Sequence, residues 1–386
     1  MSALPLAHAP GQWRVAATRR IEYELRKADD VFDPQNDALL AGGRSRGSRR
    51  FVVIDDQVHR LHGARVAAYF QSRGVQARIL ALPGGEEHKD EAAWRRVLQA
   101  LDAFPIHRRD EPVIAIGGGV LTDVVGFAAS CYRRGLPHIK VPTTLMGYVD
   151  AAVGIKTGIN FNGHKNRLGS FEPPRRVLLD RRLLATLAPR HLRNGVCEIV
   201  KLAVICDAGL FDLLERSGAD ALASAFQAGA SAAILDRAVG GMLRELAPNL
   251  YEDDLARAVD FGHTFSYGLE MRHAATLLHG EAVLLDVLAS TVIAERRGLL
   301  AEADGERVLA LVARLGLQPE PRLLEPAHMW QALLDRIEHR NGHQHVPLPT
   351  AIGACAFADD VVFPEIEAAV AALTERMTGH EPIAQC

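Results

Sequence analysis

Strong net charge, long apolar runs and an export signal are all missing from this sequence of 386 residues. A formal net charge of −3 creates no overall field that would attract nucleic acid or a membrane surface. No apolar run approaches the roughly 18 residues that a membrane-spanning helix needs. The opening residues, MSALPLAHAPGQWRV, lack the basic segment and apolar core of a secretory signal peptide. We therefore expect a cytoplasmic protein whose partners include neither nucleic acid nor a membrane.

Cysteine is also scarce, and its placement argues against two kinds of site. The five cysteines are scattered and odd in number, and no two of them form a CxxC pair. This arrangement is typical of reduced thiols, not of a disulfide framework or a cysteine-bound zinc. The cysteines are Cys131, Cys197, Cys206, Cys355 and Cys386.

The first half of the chain alternates short apolar runs with helical patterns. Four runs are typical of buried strands: RRFVVIDD, VQARILAL, EPVIAIGGG and HIKVPTT. Helical stretches such as DEAAWRRVLQALDAF lie between them, which predicts βαβ units and a parallel sheet. From about Pro189, apolar residues recur at helical spacing instead. We predict an α/β domain over residues 1–185 and a mostly α-helical domain over residues 186–386.

Two loops that follow predicted strands are candidates for nucleotide contact. AIGGGVLTDVVGFAAS places three glycines between a strand and a helix, where backbone amides can approach a pyrophosphate. The motif is not GxGxxG, and an ordinary tight strand–helix turn accounts for it equally well. In LPGGEEHKD, Glu86 and Lys89 could contact ribose or phosphate, although a solvated loop is the simpler interpretation of that stretch alone.

One glutamate and two histidines are candidates for a metal site. Glu198 and Lys201 in GVCEIVK lie three residues apart, on one helix face. His263 in FGHT and His279 in LLHGEA both adjoin glycine. Together with Glu198 they fit a His₂Glu set with open positions for substrate. Their spacing is not local, so structural histidines remain an alternative.

The stretch VGIKTGINFNGHKNRLG, residues 153–169, is unusually polar and rich in glycine. It has too few apolar residues for a core strand and too many glycines for a stable helix. The composition predicts a loop, and an ordinary polar surface loop is the simplest interpretation of this stretch alone.

Taken together, these segments resemble the dehydroquinate synthase superfamily. The resemblance extends from about Asp55 to Gly353, with the family's motifs in the family's order: GGGVLTDVVGF, RRG, VPTTLMGYVDAAVGIKTGIN, HKNRLG, EIVK, FGHT and LLHGEA. It implies an enzyme that uses NAD and one divalent metal, zinc or cobalt, to cyclise a seven-carbon sugar phosphate. It also implies an N-terminal nucleotide-binding domain, a helical metal-binding domain, a cleft between them and a homodimer. The segment KTGINFNGHKN would be a loop over the ligand, where glycines let the backbone approach closely.

The resemblance assigns site residues motif by motif. The implied metal ligands are Glu198, His263 and His279. The implied NAD contacts are Asp55, Glu86, Lys89, Gly118, Gly119, Asp123, Thr143, Thr144, Lys165 and Thr186. The implied substrate contacts are Arg134, Asn166, Lys156, Lys201, Asp260, Tyr267, His339 and Arg340. The candidates for proton handling and orientation are Lys201, Lys156, Asp150 and Asp260.

Four positions depart from the dehydroquinate synthase pattern. Met242 and Ala256 stand where that enzyme has the lysine and arginine that bind the substrate carboxylate, although Arg257 is one step away. Asp260 replaces an asparagine, and a carboxylate there would repel a substrate carboxylate. Tyr267 replaces the second histidine of the GHT motif. These changes favour a substrate without a carboxylate, namely sedoheptulose 7-phosphate.

Within the superfamily the sequence most resembles the sedoheptulose 7-phosphate cyclases that form 2-epi-5-epi-valiolone for C7-cyclitol natural products. The implied reaction is transient oxidation by NAD, loss of phosphate, reduction, and intramolecular aldol closure. Those cyclases usually have proline where Tyr267 stands, so a 2-epi-valiolone synthase is an alternative. Others are a 3-dehydroquinate synthase, a net NAD-dependent polyol dehydrogenase and a non-catalytic nucleotide-binding regulator.

Overall fold

A six-stranded parallel sheet organises the first half of the protein. The computed structural model describes residues 13–40, 49–274 and 276–378, without the side chain of His339. The strand order is β1-β8-β5-β4-β2-β3, and the predicted parallel pairing is confirmed. The strands of this sheet are β1 Glu24–Lys27, β2 Arg49–Asp55, β3 Gln76–Leu82, β4 Val113–Gly117, β5 His138–Pro142 and β8 Arg176–Leu179.

Helices cover both faces of this sheet and make up most of the second half. Two further pairs of strands are antiparallel, β6 Lys156–Phe161 with β7 His164–Phe171, and β9 Val346–Ala351 with β10 Ala354–Ala358. The α-helices are α1 Asp56–Ser72, α2 Glu91–Ala103, α3 Gly119–Cys131, α4 Pro189–Cys206, α5 Ala208–Ala223, α6 Ser231–Leu246, α7 Ser266–Arg272, α8 His279–Arg296, α9 Glu302–Arg314, α10 Pro326–His339 and α11 Phe363–Thr378.

The alternation of side chains along β2 shows how the sheet is buried. Val52 and Ile54 pack with α1 in one apolar cluster, whereas Phe51 and Val53 pack with α2 and α3 in another. All four are fully buried. Because neighbouring residues of a strand point to opposite faces, a continuous apolar run is what a sheet covered on both sides requires.

Helices α4 and α8 form the centre of the second half, within a third and larger apolar cluster. In α8 every residue from Ala282 to Ala294 is buried. A helix that is buried on all sides must lie inside a helical layer. None of the described helices meets the length and hydropathy needed to cross a membrane. The predicted domain boundary at 185/186 falls between the end of β8 and the start of α4.

The polar stretch 153–169 is not the loop that its composition predicts, but the β6–β7 hairpin. Asn162 and Gly163 form its turn with φ of 50° and 75°, the two positive values of the turn type that matches strand twist. Phe161 pairs with His164 across it. Gly158 and Gly169 face each other so closely that an added side chain would meet backbone. The glycines therefore serve the hairpin itself, which packs on α3.

Candidate active site

The carboxyl ends of four neighbouring strands bring predicted cofactor residues to one sheet edge. Asp55 ends β2, and its Oδ1 accepts the N–H groups of Gln57 at 2.9 Å and Val58 at 3.2 Å. Its Oδ2 points at Gly84 after β3, where an added side chain would collide with that oxygen. A carboxylate oxygen is thus presented at this edge, suited to accept a hydrogen bond from a sugar hydroxyl.

The glycine-rich turn lies next to it, between β4 and α3. Thr143 N–H donates to Gly117 O at 2.9 Å, which fixes the turn against the end of β5. A side chain on Gly118 would come within 3.0 Å of Thr144, and one on Gly119 within 2.9 Å of Ala151. Among the described residues no side chain caps the first turn of α3. Its free amides and positive helix end fit a phosphate group.

A second group of predicted residues forms one hydrogen-bonded network at the same edge. The Lys89 ammonium donates to Asp123 at 2.7 Å and to Asn166 Oδ1 at 2.6 Å. Asn160 links the hairpin to Glu86 at 3.0 Å and accepts the Asn166 N–H at 2.9 Å. Burial acts to lower the pKa of Lys89, but Asp123 and Glu86 outweigh it and raise that pKa. The structure thus joins a predicted substrate contact, Asn166, to three predicted cofactor contacts.

The three predicted metal ligands come together from separate segments. Glu198 lies on α4, His263 precedes α7, and His279 begins α8, yet their ligand atoms lie within 4.8 Å of one another. Glu198 Oε1 is 3.8 Å from His263 Nε2 and 3.4 Å from His279 Nε2. That buried oxygen has no hydrogen-bond partner among the described residues. A divalent cation would satisfy it, and the donor set matches a zinc site with an open position.

Both imidazoles are oriented by an acceptor at Nδ1. His263 Nδ1 lies 3.2 Å from Phe261 O, and His279 Nδ1 lies 2.9 Å from Glu270 Oε1. Protons at Nδ1 leave the two Nε2 lone pairs directed at Glu198. Burial lowers the pKa of His263 to about 3. Burial also acts to lower the pKa of His279, but Glu270 and Glu198 outweigh it and raise it to about 10. Positive charge is favoured there, and a metal would replace the proton.

Lys201 and Asp150 lie beside this metal site. Lys201 is 2% exposed, and its ammonium is 2.5 Å from Glu198 Oε2. Burial acts to lower the pKa of Lys201, but Glu198, Asp150 and Asp260 outweigh it and raise it, so the ammonium stays charged. Asp150 projects from the short turn Gly147–Ala151. Burial raises its pKa, and Glu198 adds to the rise. This pair offers a fixed cation and a carboxyl group suited to hold a proton.

Asp260 is surrounded by three arginines. Its Oδ2 forms an ion pair with Arg340 and lies 3.2 Å from Arg336, while its Oδ1 lies 3.3 Å from Arg257. Burial acts to raise the pKa of Asp260, but the arginines outweigh it and hold that pKa well below its usual range. Arg336 also donates to His263 O at 2.6 Å, which connects this arginine cluster to the metal site.

The other predicted substrate residues are distributed around these groups. Lys156 is at the start of β6 and pairs with Glu252 at 2.5 Å. Tyr267 is 37% exposed and its hydroxyl accepts the Lys165 N–H at 3.4 Å. Arg134 and Thr186 are both exposed, in the turns Tyr132–Arg134 and Arg181–Thr186. Among the described residues, no hydrogen bond joins either side chain to the groups described above. His339 ends α10, and its side chain lies outside the described part of the structure.

Sequence reasoning missed Glu270 and Arg336. Glu270 is three residues after Tyr267 on α7, and Arg336 is one helical turn before Arg340 on α10. Because residues three or four apart share a helix face, both could have been found as neighbours of predicted site residues. Glu270 contacts His279, a predicted metal ligand, and Arg336 contacts Asp260, so both belong to the candidate site.

Comparison with known families and proteins agrees with this geometry. The family profile described as 3-dehydroquinate synthase N-terminal matches residues 79–194, and the one described as 3-dehydroquinate synthase C-terminal matches residues 195–338. The chain is 50% identical over 365 residues to a 2-epi-5-epi-valiolone synthase of an Actinoplanes species, covering 92% of both chains. Identity to a 2-epi-valiolone synthase of Actinosynnema mirum is 37% over 379 residues, covering 96% of this chain and 97% of the other.

A solved structure resembles the whole chain. It is ValA, a 2-epi-5-epi-valiolone synthase from Streptomyces hygroscopicus subsp. jinggangensis, with NAD⁺ and Zn²⁺ bound. The TM-score is 0.90 and the identity 46%, covering 94% of this chain and all of the other. The predicted combination of a parallel-sheet half and a helical half is therefore confirmed by a relative of known structure.

Proposed function

Because the chain belongs to the 3-dehydroquinate synthase family, we propose that it converts sedoheptulose 7-phosphate to 2-epi-5-epi-valiolone with release of phosphate. The observation that carries this proposal is the 50% sequence identity, over 92% of this chain, to a synthase of that name. The cyclase reaction is redox-neutral overall, so NAD is regenerated in each cycle. The enzyme is in this sense a lyase and not a net dehydrogenase.

The residues of the site fit both cofactors. The uncapped start of α3 and the carboxylate of Asp55 suit a dinucleotide, and Glu198 with its two histidines suits a divalent ion. When bound, NAD accepts and returns a hydride, and zinc or cobalt polarises a substrate oxygen.

The remaining chemistry falls to side chains of this chain. The Lys201 ammonium is positioned to stabilise negative charge that develops on a substrate oxygen beside the metal site. The carboxyl group of Asp150, with its raised pKa, can hold or release a proton near the same point. Lys156 is more exposed than Lys201, and its ammonium can pair with the substrate's phosphate. Residues of the sheet edge and of helices α4, α7 and α8 can hold the open-chain intermediate in the geometry that the final, intramolecular ring closure needs.

The ion pairs of Asp260 favour a substrate without a carboxylate, and the sequence alone does not reveal these pairs. Met242 stands where dehydroquinate synthase has a lysine, and here it is 1% exposed within the apolar cluster of the helical half. However, Arg257, Arg336 and Arg340 supply three other cations. Asp260 forms an ion pair with each of them. The arginine cluster is therefore already paired with a carboxylate of the protein. A substrate carboxylate would have to displace it.

The direct test is a reaction of purified protein with sedoheptulose 7-phosphate, zinc or cobalt, and NAD at one hundredth of the substrate concentration. We expect complete conversion, release of phosphate, and 2-epi-5-epi-valiolone identified by NMR. Product that never exceeds the NAD supplied would indicate a dehydrogenase, and the epimeric product would indicate a 2-epi-valiolone synthase.

A second arm of the same assay tests the substrate class. The carboxylate-bearing sugar phosphate of dehydroquinate synthases is offered beside sedoheptulose 7-phosphate. We expect at least about a thousandfold lower kcat/KM, because a carboxylate without a free cation costs several kcal/mol and each ~1.4 kcal/mol is tenfold. Comparable rates would return the assignment to a 3-dehydroquinate synthase. The assembly that we propose on the family resemblance is a homodimer, which light scattering of the eluted protein would measure.

A further inference from the structure

Glu270 connects a predicted metal ligand, His279, to Lys165 of the β6–β7 hairpin, and the function proposed above gives Glu270 itself no role. The side chain is 5% exposed on α7. Its Oε1 faces His279 Nδ1 at 2.9 Å, and its Oε2 forms an ion pair with Lys165 of β7. Each oxygen therefore has one partner, and the two partners belong to different elements, α8 and β7.

We propose that Glu270 is a positioning residue through which the seated hairpin strengthens metal binding at His279. The inference rests on the metal role proposed for Glu198, His263 and His279. Glu270 does not touch the metal position itself, but holds the imidazole that does.

The first half of the argument concerns His279. Its partner is a carboxylate, whereas the equivalent partner of His263 is a backbone carbonyl. A carboxylate fixes the ring and makes the far nitrogen a stronger electron donor. The Glu270 carboxylate also carries a negative charge, which an amide in its place would not have. Loss of such a partner typically weakens metal binding 10–100-fold.

The second half concerns the hairpin. Tyr267 and Glu270 are three residues apart on α7 and share one face, and both contact Lys165. The Lys165 side chain is 17% exposed and also lies 4.0 Å from Glu86 at the sheet edge. The next residue, Asn166, is held by Lys89. The hairpin end is thus fixed to the sheet by Asn166 and to α7 by Lys165.

The two halves together make Lys165, Glu270 and His279 a chain of contacts from the sheet side to the metal site. When Lys165 neutralises Oε2, the Glu270 carboxylate is fixed in the rotamer that reaches Nδ1. Without Lys165, the carboxylate loses that restraint while keeping its bond to His279. The effect of Lys165 should therefore be smaller than that of Glu270 and should depend on it.

The experiment measures Co²⁺ binding to metal-depleted protein by its visible absorption and by competition with a chelator. NAD is omitted, so that a role of Lys165 in cofactor binding does not enter the result. The variants are Glu270→Gln, Lys165→Met and the double variant. Asp236→Asn, which breaks the exposed ion pair with Lys27, is the matched control. Circular dichroism checks that all of them fold.

We expect Glu270→Gln to raise the Co²⁺ Kd about 10–100-fold and to change the cobalt spectrum, because one ligand is less firmly oriented. Lys165→Met should raise the Kd a few-fold, and the double variant should bind no more weakly than Glu270→Gln. Additive effects, or a Glu270→Gln protein that binds and absorbs like the unmodified one, would overturn the proposal. If the unmodified protein binds no stoichiometric Co²⁺, the metal site itself is wrong and the proposal falls with it.

Discussion

Among single side chains, Asp260 is the one that we expect to decide whether the site accepts a carboxylate. Three arginines lie around it, and on their own they would form a strong site for a carboxylate or phosphate. One internal carboxylate converts this cluster from an anion site into a paired network. We therefore expect substrate selection to depend on a charge inside the protein as well as on charges that face the ligand.

Asp260→Asn should shift selectivity toward the carboxylate-bearing sugar phosphate. The change keeps the shape of the side chain but removes the charge that occupies the arginines. We expect the ratio of kcat/KM for the two sugar phosphates to move at least about tenfold toward the carboxylate-bearing one. Steady-state assays with both substrates measure it. Asp212→Asn, which loosens an ion pair with Arg307 near the surface, should leave the ratio unchanged. A ratio unmoved in Asp260→Asn would contradict the role given to this charge.

Asp286 illustrates a different effect of burial, on stability. Its carboxylate accepts the N–H groups of Phe265 at 2.5 Å and Ser266 at 2.9 Å, and the Ser290 hydroxyl at 3.0 Å. Burial nevertheless raises the pKa of Asp286 from 3.8 to about 6, because these bonds and nearby Arg336 compensate only in part. A carboxyl with a raised pKa favours the folded state most when it is protonated.

The stability contribution of Asp286 should therefore fall as the pH rises from about 4 to about 6, and then level off. Asp286→Asn keeps an acceptor for both amides and has no charge to lose. We expect the stability of the variant relative to the unmodified protein to rise by roughly 2–3 kcal/mol over that range. Urea unfolding at several pH values measures the difference. A difference that is constant with pH would contradict the raised pKa.

Among the secondary-structure elements, the β6–β7 hairpin shows where sequence reasoning works and where it does not. Strands β2 to β5 were predictable, because short continuous apolar runs between helical patterns are typical of buried parallel strands. The hairpin was not, because a high glycine count argues against a strand. The Asn162–Gly163 pair is in fact a strong hairpin signal. Its strands are stabilised by backbone pairing and by α3, so they need few apolar side chains.

The site could be predicted to a similar, uneven extent. The sequence groups Glu198, His263 and His279 as one set, and the structure brings them together. The pairing of Asp260 with Arg340 could not be foreseen, because 80 residues separate them and only the packing of α10 brings them into contact. Pairing across such distances is a property of tertiary structure, not of local pattern.

Gly169→Ala should loosen the hairpin. A side chain at this position would collide with Thr157 O, a backbone atom that cannot move without opening the strand pair. We expect a loss of about 1–3 kcal/mol in stability and weaker NAD binding, because Lys165 and Asn166 shift with the strand. Thermal unfolding and NAD titration measure the two effects. Arg167→Ala, on the same exposed strand, is the control, and equal behaviour of the two variants would contradict this interpretation.

For the protein as a whole, we expect the proposed metal site to act as a cross-link within the helical half. Its ligands come from α4, from the segment before α7 and from the first residue of α8. Since an unfolded chain cannot present these three groups together, a bound ion stabilises only the folded state.

Removal of the metal should therefore lower the unfolding temperature. At an ion concentration one hundred times Kd the stabilisation is about 2.7 kcal/mol, which corresponds to several degrees for a protein of this size. Scanning calorimetry with excess zinc, and after chelation, measures the shift. His263→Ala should show little or no zinc-dependent shift. An unmodified protein that unfolds at the same temperature in both conditions would contradict the cross-link.

The pairing of β1 with β8 has a consequence for how the protein is made. Glu24 lies beside Arg176 in the finished sheet, so about 150 residues must be synthesised between the two strands. At roughly 5–20 residues per second, a ribosome needs on the order of 8–30 s for that length. During this interval β1 has been synthesised but the strand that it will join has not. Slower translation between the two strands prolongs the wait, and a chain that stops before Arg176 leaves β1 without its partner.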